Sequence, residues 1–255
     1  MAELYDRMRP GYPPQLVDEL LACARTGASR PLRALEVGAG TGKATVLLAA
    51  RGVRIDALEP SAQMAAIARR NLAQSRQVSV IESEFEAWEP GEGQAPYDLI
   101  YSAQAWHWID PAVAYPRARA LLREGGLLAA FWNRPDWRSC ALGEAIEAAY
   151  ARHAPELSGL SPMRPRSGES EEWERWTAQI AGAEGFVAPE VRAYRWRIGY
   201  SSGEYATLLE THSDHIVLPA ERRAALIGAL AAAIDRAGGA FELPMSTRLC
   251  LARAA

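Results

Sequence analysis

The feature that most constrains the fold is a regular alternation of short apolar segments with helical segments in the first half of the chain. The pattern predicts strands at residues 33–37, 53–58, 78–81, 97–101 and 127–132. Helices are predicted at residues 15–24, 43–50, 62–73 and 112–122. Because helices of about ten residues separate successive strands, this half is predicted to form a parallel, doubly wound α/β sheet.

The alternation stops near residue 133, and the rest of the chain is less regular. Predicted helices at residues 142–153 and 171–183 are joined by a loop that carries three prolines, Pro155, Pro162 and Pro165. A stretch rich in proline, arginine, serine and glycine indicates a surface insertion or lid. The further predicted elements are a strand at 190–198, helices at 204–211 and 219–237, and a last strand at 245–252.

Composition excludes several classes of protein. The 255 residues carry 28 Lys and Arg against 31 Asp and Glu, and a net charge of −3 argues against a nucleic-acid binder. The three cysteines are widely spaced and form no CxxC, so neither a disulfide framework nor a zinc site is predicted, and a cytoplasmic location is expected. The longest apolar stretch, residues 224–234, is about half a membrane span, so no membrane partner is expected.

A glycine-rich loop follows the first predicted strand, and its spacing separates three kinds of cofactor site. The loop carries Gly38, Gly40 and Gly42 after an acid, Glu36. A phosphate-binding loop of the form G-x4-G-K-[ST] fails, because Val37 and Ala44 occupy its two ends. A dinucleotide loop of the form G-x-G-x-x-G fails as well, because its third glycine falls on Lys43, the only lysine in the chain.

The remaining pattern, G-x-G-x-G after an acid, resembles motif I of the class I S-adenosylmethionine-dependent methyltransferases. Four further segments resemble the same family in order and spacing, at residues 53–61, 83–86, 97–108 and 121–127. Together with the entry segment at residues 5–13, they are most similar to the type-11, trans-aconitate-methyltransferase-like subgroup of small-molecule enzymes. The resemblance covers positions 5–134 well and the remainder weakly.

The resemblance implies that a set of residues around the glycine loop binds S-adenosylmethionine. In the family, the acid at Glu59 accepts both ribose hydroxyls, which suits a carboxylate with two acceptor oxygens. Glu36 would lie near the methionine amino group, Met64 over the adenine, Glu84 at the adenine amine and the Phe85 backbone at a ring nitrogen. The full set of cofactor residues predicted in this way is Glu36, Gly38, Gly40, Gly42, Glu59, Met64, Glu84, Phe85 and Ser102.

His107 is the candidate catalytic residue, because it follows the fourth predicted strand at the edge where open α/β sheets bind ligands. Two interpretations stay open: a histidine packed in an aromatic cluster, or a base or hydrogen-bond donor to the substrate. The candidate substrate-binding residues are Tyr5, Arg9, Tyr12, Gln104, Trp106 and His212. His212 and His215 form a His-x-x-His pair, but without a third ligand no metal is predicted.

These observations predict a Rossmann-like, doubly wound, mostly parallel seven-stranded sheet with a last antiparallel strand and an inserted helical lid. The predicted domains are a cofactor-binding core at 1–134, a lid at 135–185, and a C-terminal region at 186–255 that completes the sheet and covers the active site. The expected activity is methyl transfer to a small molecule, at O or N in preference to C, with S-adenosylhomocysteine as product. A monomer or homodimer is expected. The alternatives are a non-catalytic cofactor-binding or regulatory protein and a nicotinamide-dependent oxidoreductase.

Overall fold

The computed structural model describes residues 2–26, 31–91, 93, 95–157, 163 and 171–255, with the backbone alone for 171–173. Its centre is a seven-stranded sheet with the strand order β3-β2-β1-β4-β5-β7-β6. The strands are β1 (Arg33–Val37), β2 (Arg54–Leu58), β3 (Val78–Ile81), β4 (Tyr97–Ala103), β5 (Leu122–Pro135), β6 (Phe186–Ser201) and β7 (Ala240–Ala254). The first five strands pair in parallel. The predicted α/β class and seven-stranded sheet are confirmed.

Ten α-helices lie within the described part of the chain. They are α1 (Ala2–Met8), α2 (Pro14–Ala24), α3 (Lys43–Ala49), α4 (Ala62–Asn71), α5 (Pro111–Leu121), α6 (Gly143–His153), α7 (Glu171–Ala181), α8 (Ser202–Leu209), α9 (Ser213–Ile216) and α10 (Ala220–Arg236). The sequence pattern predicted eight of them to within two residues at each end. It did not predict the short helices α1 and α9. Of the predicted lid loop, Pro162 and Pro165 lie outside the described residues.

Strand alternation places helices on both faces of the sheet. On β1, Ala34 packs into a buried cluster with residues of α2 and α3, such as Leu20 and Leu48. The next residue, Leu35, packs into a second cluster with residues of α5 and α7. Successive strand side chains point to opposite faces, so each strand serves both clusters. This is the packing expected of a doubly wound sheet.

The prediction was wrong at the junction between α5 and β5. The sequence pattern began the strand at residue 127, whereas β5 begins at Leu122, directly after α5 ends at Leu121. Leu122 is already paired with Tyr97 of β4, and the register then shifts before Leu99. Gly125 lies in this stretch with a φ of 67°. A bulge therefore lets the strand start five residues earlier than the apolar pattern indicates.

The chain divides into two compact units made of interleaved segments. Unit 1 comprises 1–10, 134–169 and 195–246, and unit 2 comprises 11–133, 170–194 and 247–255. Unit 1 has its own buried cluster, in which Ile146 and Tyr150 of α6 pack with Leu226 and Leu230 of α10. The functional division into core, lid and covering C-terminal region stays a prediction. Among the described residues, no helix is long and apolar enough to cross a membrane.

Candidate functional site

The glycine loop of unit 2 connects β1 to α3 through glycines with left-handed backbone, one of them in close contact with the loop after β4. Gly38 has a φ of 71°, and a Cβ added to it would lie 2.4 Å from the Cβ of Ala105. Gly42 has a φ of 86° and is the residue that precedes the first turn of α3. Left-handed backbone and contact with the β4 loop therefore both require glycine at position 38. The loop lies where β1 ends, at the carboxyl edge of the parallel strands.

Glu59 follows β2 and is held by backbone donors on both carboxylate oxygens. Its Oε2 accepts from the Gly40 N–H at 2.8 Å, and its Oε1 accepts from the Ser61 N–H at 2.9 Å. The residue is buried. The two backbone donors orient the carboxylate. Because each carboxylate oxygen has two lone pairs, both oxygens can still accept further hydrogen bonds.

Glu36 on β1 is fully buried and hydrogen-bonded on one oxygen. Its Oε2 accepts from Thr45 Oγ1 at 2.6 Å and from the Tyr101 hydroxyl at 2.7 Å. Its Oε1 has no hydrogen-bond partner among the residues that the structure describes. Burial raises the pKa of Glu36 to about 7, and the negative charge of Glu59 adds to the rise. The hydrogen bonds from the two hydroxyls oppose it.

Two more residues lie at the same loop: Met64, which was predicted to bind the cofactor, and Thr41, which lies between Gly40 and Gly42. Met64 on α4 is half-buried, and its Cε would lie 3.9 Å from a Cβ at Gly40. Thr41 is buried, and its Oγ1 has no hydrogen-bond partner in the described part of the chain. The loop region thus combines glycine backbone, two buried acids and unsatisfied polar oxygens. Two carboxylates at one loop suit a ligand with positive charge and a diol, and they disfavour a pyrophosphate.

The other predicted cofactor residues have varied surroundings. Ser102 is buried on β4, and its hydroxyl donates to the Val37 carbonyl at 2.7 Å. Phe85 is buried, and its carbonyl accepts from Arg117 Nε at 2.7 Å. Glu84 is exposed. The roles of Glu84 and Phe85 toward the adenine, and that of Ser102 in cofactor binding, stay predictions.

His107 lies in a single 3-10 turn, Trp106–Trp108, that follows β4. Trp106 is buried against Phe85 and Tyr115, with ring centroids 5.9 and 5.7 Å away. The Trp132 indole N–H donates to His107 Nδ1 at 3.1 Å. The His107 ring is half-buried. The structure therefore brings the predicted catalytic histidine into an aromatic cluster, and a role toward substrate stays a prediction.

The segment at Gly11 and Tyr12 is attached to the end of β5. Asn133 Nδ2 donates to the Gly11 carbonyl at 2.8 Å, and Asn133 Oδ1 accepts from Thr247 Oγ1 at 2.6 Å. The Tyr12 ring packs edge-on against Phe131, with centroids 4.9 Å apart. One buried amide thus ties Gly11 to the ends of β5 and β7 that belong to unit 2.

Gln104 has an unusual backbone for a residue other than glycine, with a φ of 67°. Its N–H donates to the Phe131 carbonyl at 2.9 Å. Its side-chain Nε2 donates to the Asn133 carbonyl at 3.4 Å. Strained backbone of this kind persists where the surrounding structure holds it, often at ligand sites.

Three predicted substrate residues, Tyr5, Arg9 and His212, belong to unit 1. The Arg9 guanidinium lies over the Tyr5 ring at 4.8 Å and donates to Thr211 Oγ1 at 3.1 Å and to the Thr211 carbonyl at 3.0 Å. His212 is buried, and burial lowers its pKa well below 6.5, assisted by the positive charge of Arg9. His212 is therefore neutral at physiological pH.

The second histidine of the His-x-x-His pair is engaged in hydrogen bonds. His215 Nδ1 lies 2.9 Å from Asp214 Oδ1, and its Nε2 lies 2.7 Å from the Tyr150 hydroxyl. In the residues that the structure describes, no group of three or more His, Cys, Asp or Glu could hold a metal ion.

Sequence reasoning did not single out the donors to Glu36. Tyr101 lies opposite Glu36 in the register of β1 with β4. Thr45 is in the first turn of α3, nine residues after Glu36. To find Tyr101 as a partner of Glu36, one would need the register between β1 and β4. That register is set by strand pairing in the folded chain and leaves no local signal in the sequence.

The chain is similar to several known proteins. The family described as "Methyltransferase domain" matches residues 35–128. An uncharacterised methyltransferase of Mycobacterium tuberculosis is 40% identical over 134 residues, 52% of this chain and 51% of that relative. A trans-aconitate 2-methyltransferase of Paracidovorax citrulli is 34% identical over 127 residues, 49% of this chain and 44% of that relative. The chain thus spans about half the length of these curated relatives.

Two further similarities cover a larger part of the chain. An uncharacterised methyltransferase of Geobacillus kaustophilus is 32% identical over 171 residues, which are 62% of this chain and 74% of that relative. A solved structure from Anaeromyxobacter dehalogenans, provisionally assigned to the type II methyltransferases, has a TM-score of 0.62 at 21% identity and covers 96% of this chain and 97% of its own. The structural likeness concerns the fold.

Proposed function

The chain belongs to the class I S-adenosylmethionine-dependent methyltransferases, and we propose that it binds this cofactor at the glycine loop of unit 2 and transfers its methyl group to a small molecule. The observation that carries the proposal is the buried acid pair Glu36 and Glu59 around that loop. Glu36 Oε1 is buried and has no partner among the described residues. Glu59 has both oxygens oriented by backbone N–H groups.

These groups fit the proposed cofactor. Glu59 would accept both ribose hydroxyls, because its oriented oxygens match a vicinal diol. Glu36 Oε1 would accept from the amino group of the methionine part, and a cation there would favour the ionised form of a carboxyl whose pKa is about 7. When bound, the cofactor supplies a methyl group that its sulfonium makes electrophilic.

The protein's own contribution to the transfer is binding and positioning. The reaction is a displacement in which an acceptor lone pair forms a bond to the methyl carbon, while the carbon–sulfur bond breaks and its electrons stay on sulfur. Holding two reactants in line is worth about 7–11 kcal/mol of the barrier. The acceptor is proposed to be an oxygen or nitrogen of a small molecule. The name of the Paracidovorax relative supports a carboxylic acid as one candidate.

Binding of S-adenosylhomocysteine by isothermal titration calorimetry tests the cofactor part of the proposal. Glu59→Ala should weaken binding by about 10–100-fold, since hydrogen bonds to a charged group contribute about 1.5–3 kcal/mol. Asp18→Asn is the control, because Asp18 lies on α2 with a surface ion pair to Arg51. It should leave the affinity unchanged.

The same titration with NADH separates the alternatives. Binding of NADH in place of S-adenosylhomocysteine would contradict the proposal in favour of an oxidoreductase. Methyl transfer is then measured as S-adenosylhomocysteine formed from S-adenosylmethionine over a panel of carboxylic acids, phenols and amines. Tight binding with no transfer to any acceptor would favour a non-catalytic cofactor-binding protein.

A further inference from the structure

The hydrogen bond between Trp132 and His107 determines which ring nitrogen of the histidine carries the proton. The Trp132 Nε1–H lies 3.1 Å from His107 Nδ1. An indole N–H is a donor only, so Nδ1 must accept and cannot hold a proton. In a neutral imidazole, the proton is then on Nε2.

Stacking keeps the imidazole in this orientation. The centroids of the Trp176 and His107 rings lie 4.7 Å apart, and the two ring planes are inclined by 29°. The same Trp176 ring lies 4.6 Å from Trp132 with an interplanar angle of 21°. Trp132 is almost completely buried, so its indole has little freedom to turn away. A 180° rotation of the imidazole about χ2 would place Cδ2 where Nδ1 now lies, which would break the indole hydrogen bond and leave the Trp132 N–H without that acceptor.

The turn that carries His107 touches the proposed cofactor loop. Ala105, two residues earlier, fills the space that a side chain at Gly38 would need. His107 itself is half-buried.

We infer that Trp132 is a positioning residue that holds His107 as the Nε2–H tautomer, so that His107 donates a hydrogen bond to an oxygen of the methyl acceptor and is not a general base. The part that concerns the acceptor rests on the proposed function. A base at Nε2 would need its lone pair there and the proton on Nδ1, opposite the indole N–H. The acceptor is therefore one whose attacking atom needs no deprotonation by His107.

Nitrogen-15 NMR of the full chain, labelled in histidine, tests the tautomer without cofactor or substrate. The chain has four histidines, so the absent signals of His107→Gln identify the His107 ring. At neutral pH we expect the two-bond correlation pattern of an Nε2–H imidazole. An Nδ1–H pattern in the unmodified chain would overturn the inference, and this result does not depend on any variant folding.

The role of Trp132 is tested by Trp132→Phe, which removes the indole N–H and keeps an aromatic ring. The His107 signals should change to a mixture of tautomers. Trp88→Phe is the matched control, because Trp88 packs in the same buried cluster, where its ring centroid lies 6.2 Å from that of Tyr97. Trp88→Phe should leave the His107 pattern unchanged. An unchanged pattern in Trp132→Phe would overturn the positioning role.

Kinetics with the acceptor found in the panel test the donor role. A glutamine can donate a hydrogen bond but cannot act as a base, so His107→Gln should keep kcat within about tenfold, whereas His107→Phe should lose about 10–100-fold. Equal losses of about 10²–10⁴-fold in both variants would identify a general base and overturn the inference. If no acceptor is methylated, the proposed function fails, and the NMR pattern still decides the tautomer.

Discussion

At Glu36, burial and hydrogen bonding act in opposite directions on one carboxyl group. Burial disfavours the charged form, while the hydroxyls of Thr45 and Tyr101 stabilise it, and the balance leaves a pKa of about 7. A group with this pKa changes charge within the physiological range. The stability of the chain should therefore depend on pH through this residue.

We expect Glu36 to destabilise the fold as the pH rises. Its pKa is raised from 4.5 to about 7, so its contribution to stability is complete below pH 4.5 and is lost as the pH passes through 7. The maximum effect is about 3 kcal/mol. Glu36→Gln stays neutral, so from about pH 5 to about pH 8 the difference in the free energy of unfolding should move in favour of the variant.

Urea unfolding of both proteins at the two pH values measures this shift. Glu89→Gln is the control, because the Glu89 side chain is 77% exposed on the surface. Its difference from the unmodified chain should not vary with pH. A pH-independent difference for Glu36→Gln would show that Glu36 is ionised or neutral throughout the range.

The glycine loop of the proposed cofactor site could be located from the sequence because it is a local motif. Gly38, Gly40 and Gly42 follow one strand at fixed spacing, and all three have left-handed backbone. The partners of Glu36 could not be predicted in this way. Tyr101 is sixty-five positions away and meets Glu36 only because β1 and β4 pair in a particular register.

At the scale of elements, the contact between the glycine loop and the turn after β4 is a tight fit. We expect Gly38→Ala to destabilise the chain by two separate effects. Left-handed backbone costs a residue other than glycine about 1–2 kcal/mol. Overlap with Ala105 should add about 1–3 kcal/mol, because the neighbouring backbone must move.

Gly52→Ala separates these two effects. Gly52 also has left-handed backbone, with a φ of 81°, but a Cβ there would meet nothing within 4 Å. In urea unfolding, Gly52→Ala should lose the backbone contribution alone, and Gly38→Ala should lose more. Equal losses in the two variants would mean that the loops move apart without cost.

Elements with a clear period could be predicted to within two residues, as for β1 and β3, because each is short, apolar and bounded by polar residues. The start of β5 could not be predicted to within two residues. Its first residues, Leu122–Gly126, look like a helix end followed by a glycine turn, and they become a strand only through pairing with β4. The length of β6 was underestimated, since much of this strand is exposed and its pattern is polar. The length of β7, which is mostly buried, was underestimated as well.

At the scale of the whole molecule, neither compact unit is a continuous piece of sequence. The chain passes between them after residues 10, 133, 169, 194 and 246. The resemblance covered residues 5–134, yet the buried clusters of unit 2 also need later side chains, among them Trp176, Tyr194 and Leu249. Such long-range packing leaves no local signal in the sequence.

We therefore expect a chain truncated after residue 134 to lose cooperative folding. It would lack β7, which pairs next to β5, and the later side chains that complete both buried clusters. Near-ultraviolet circular dichroism should lose its fine structure, and urea unfolding should become broad, as for a state without fixed side-chain packing. A sharp transition with a native spectrum would show that residues 1–134 fold independently.

The position of β7 between β5 and β6 has a consequence for biosynthesis. A ribosome that has completed β5 must still add residues 136–239 before the neighbouring strand is made. During that interval the nascent sheet has an open edge whose N–H and C=O groups can pair with another polypeptide. Slow translation over residues 136–239 would thus prolong the time during which the newborn chain is prone to aggregation.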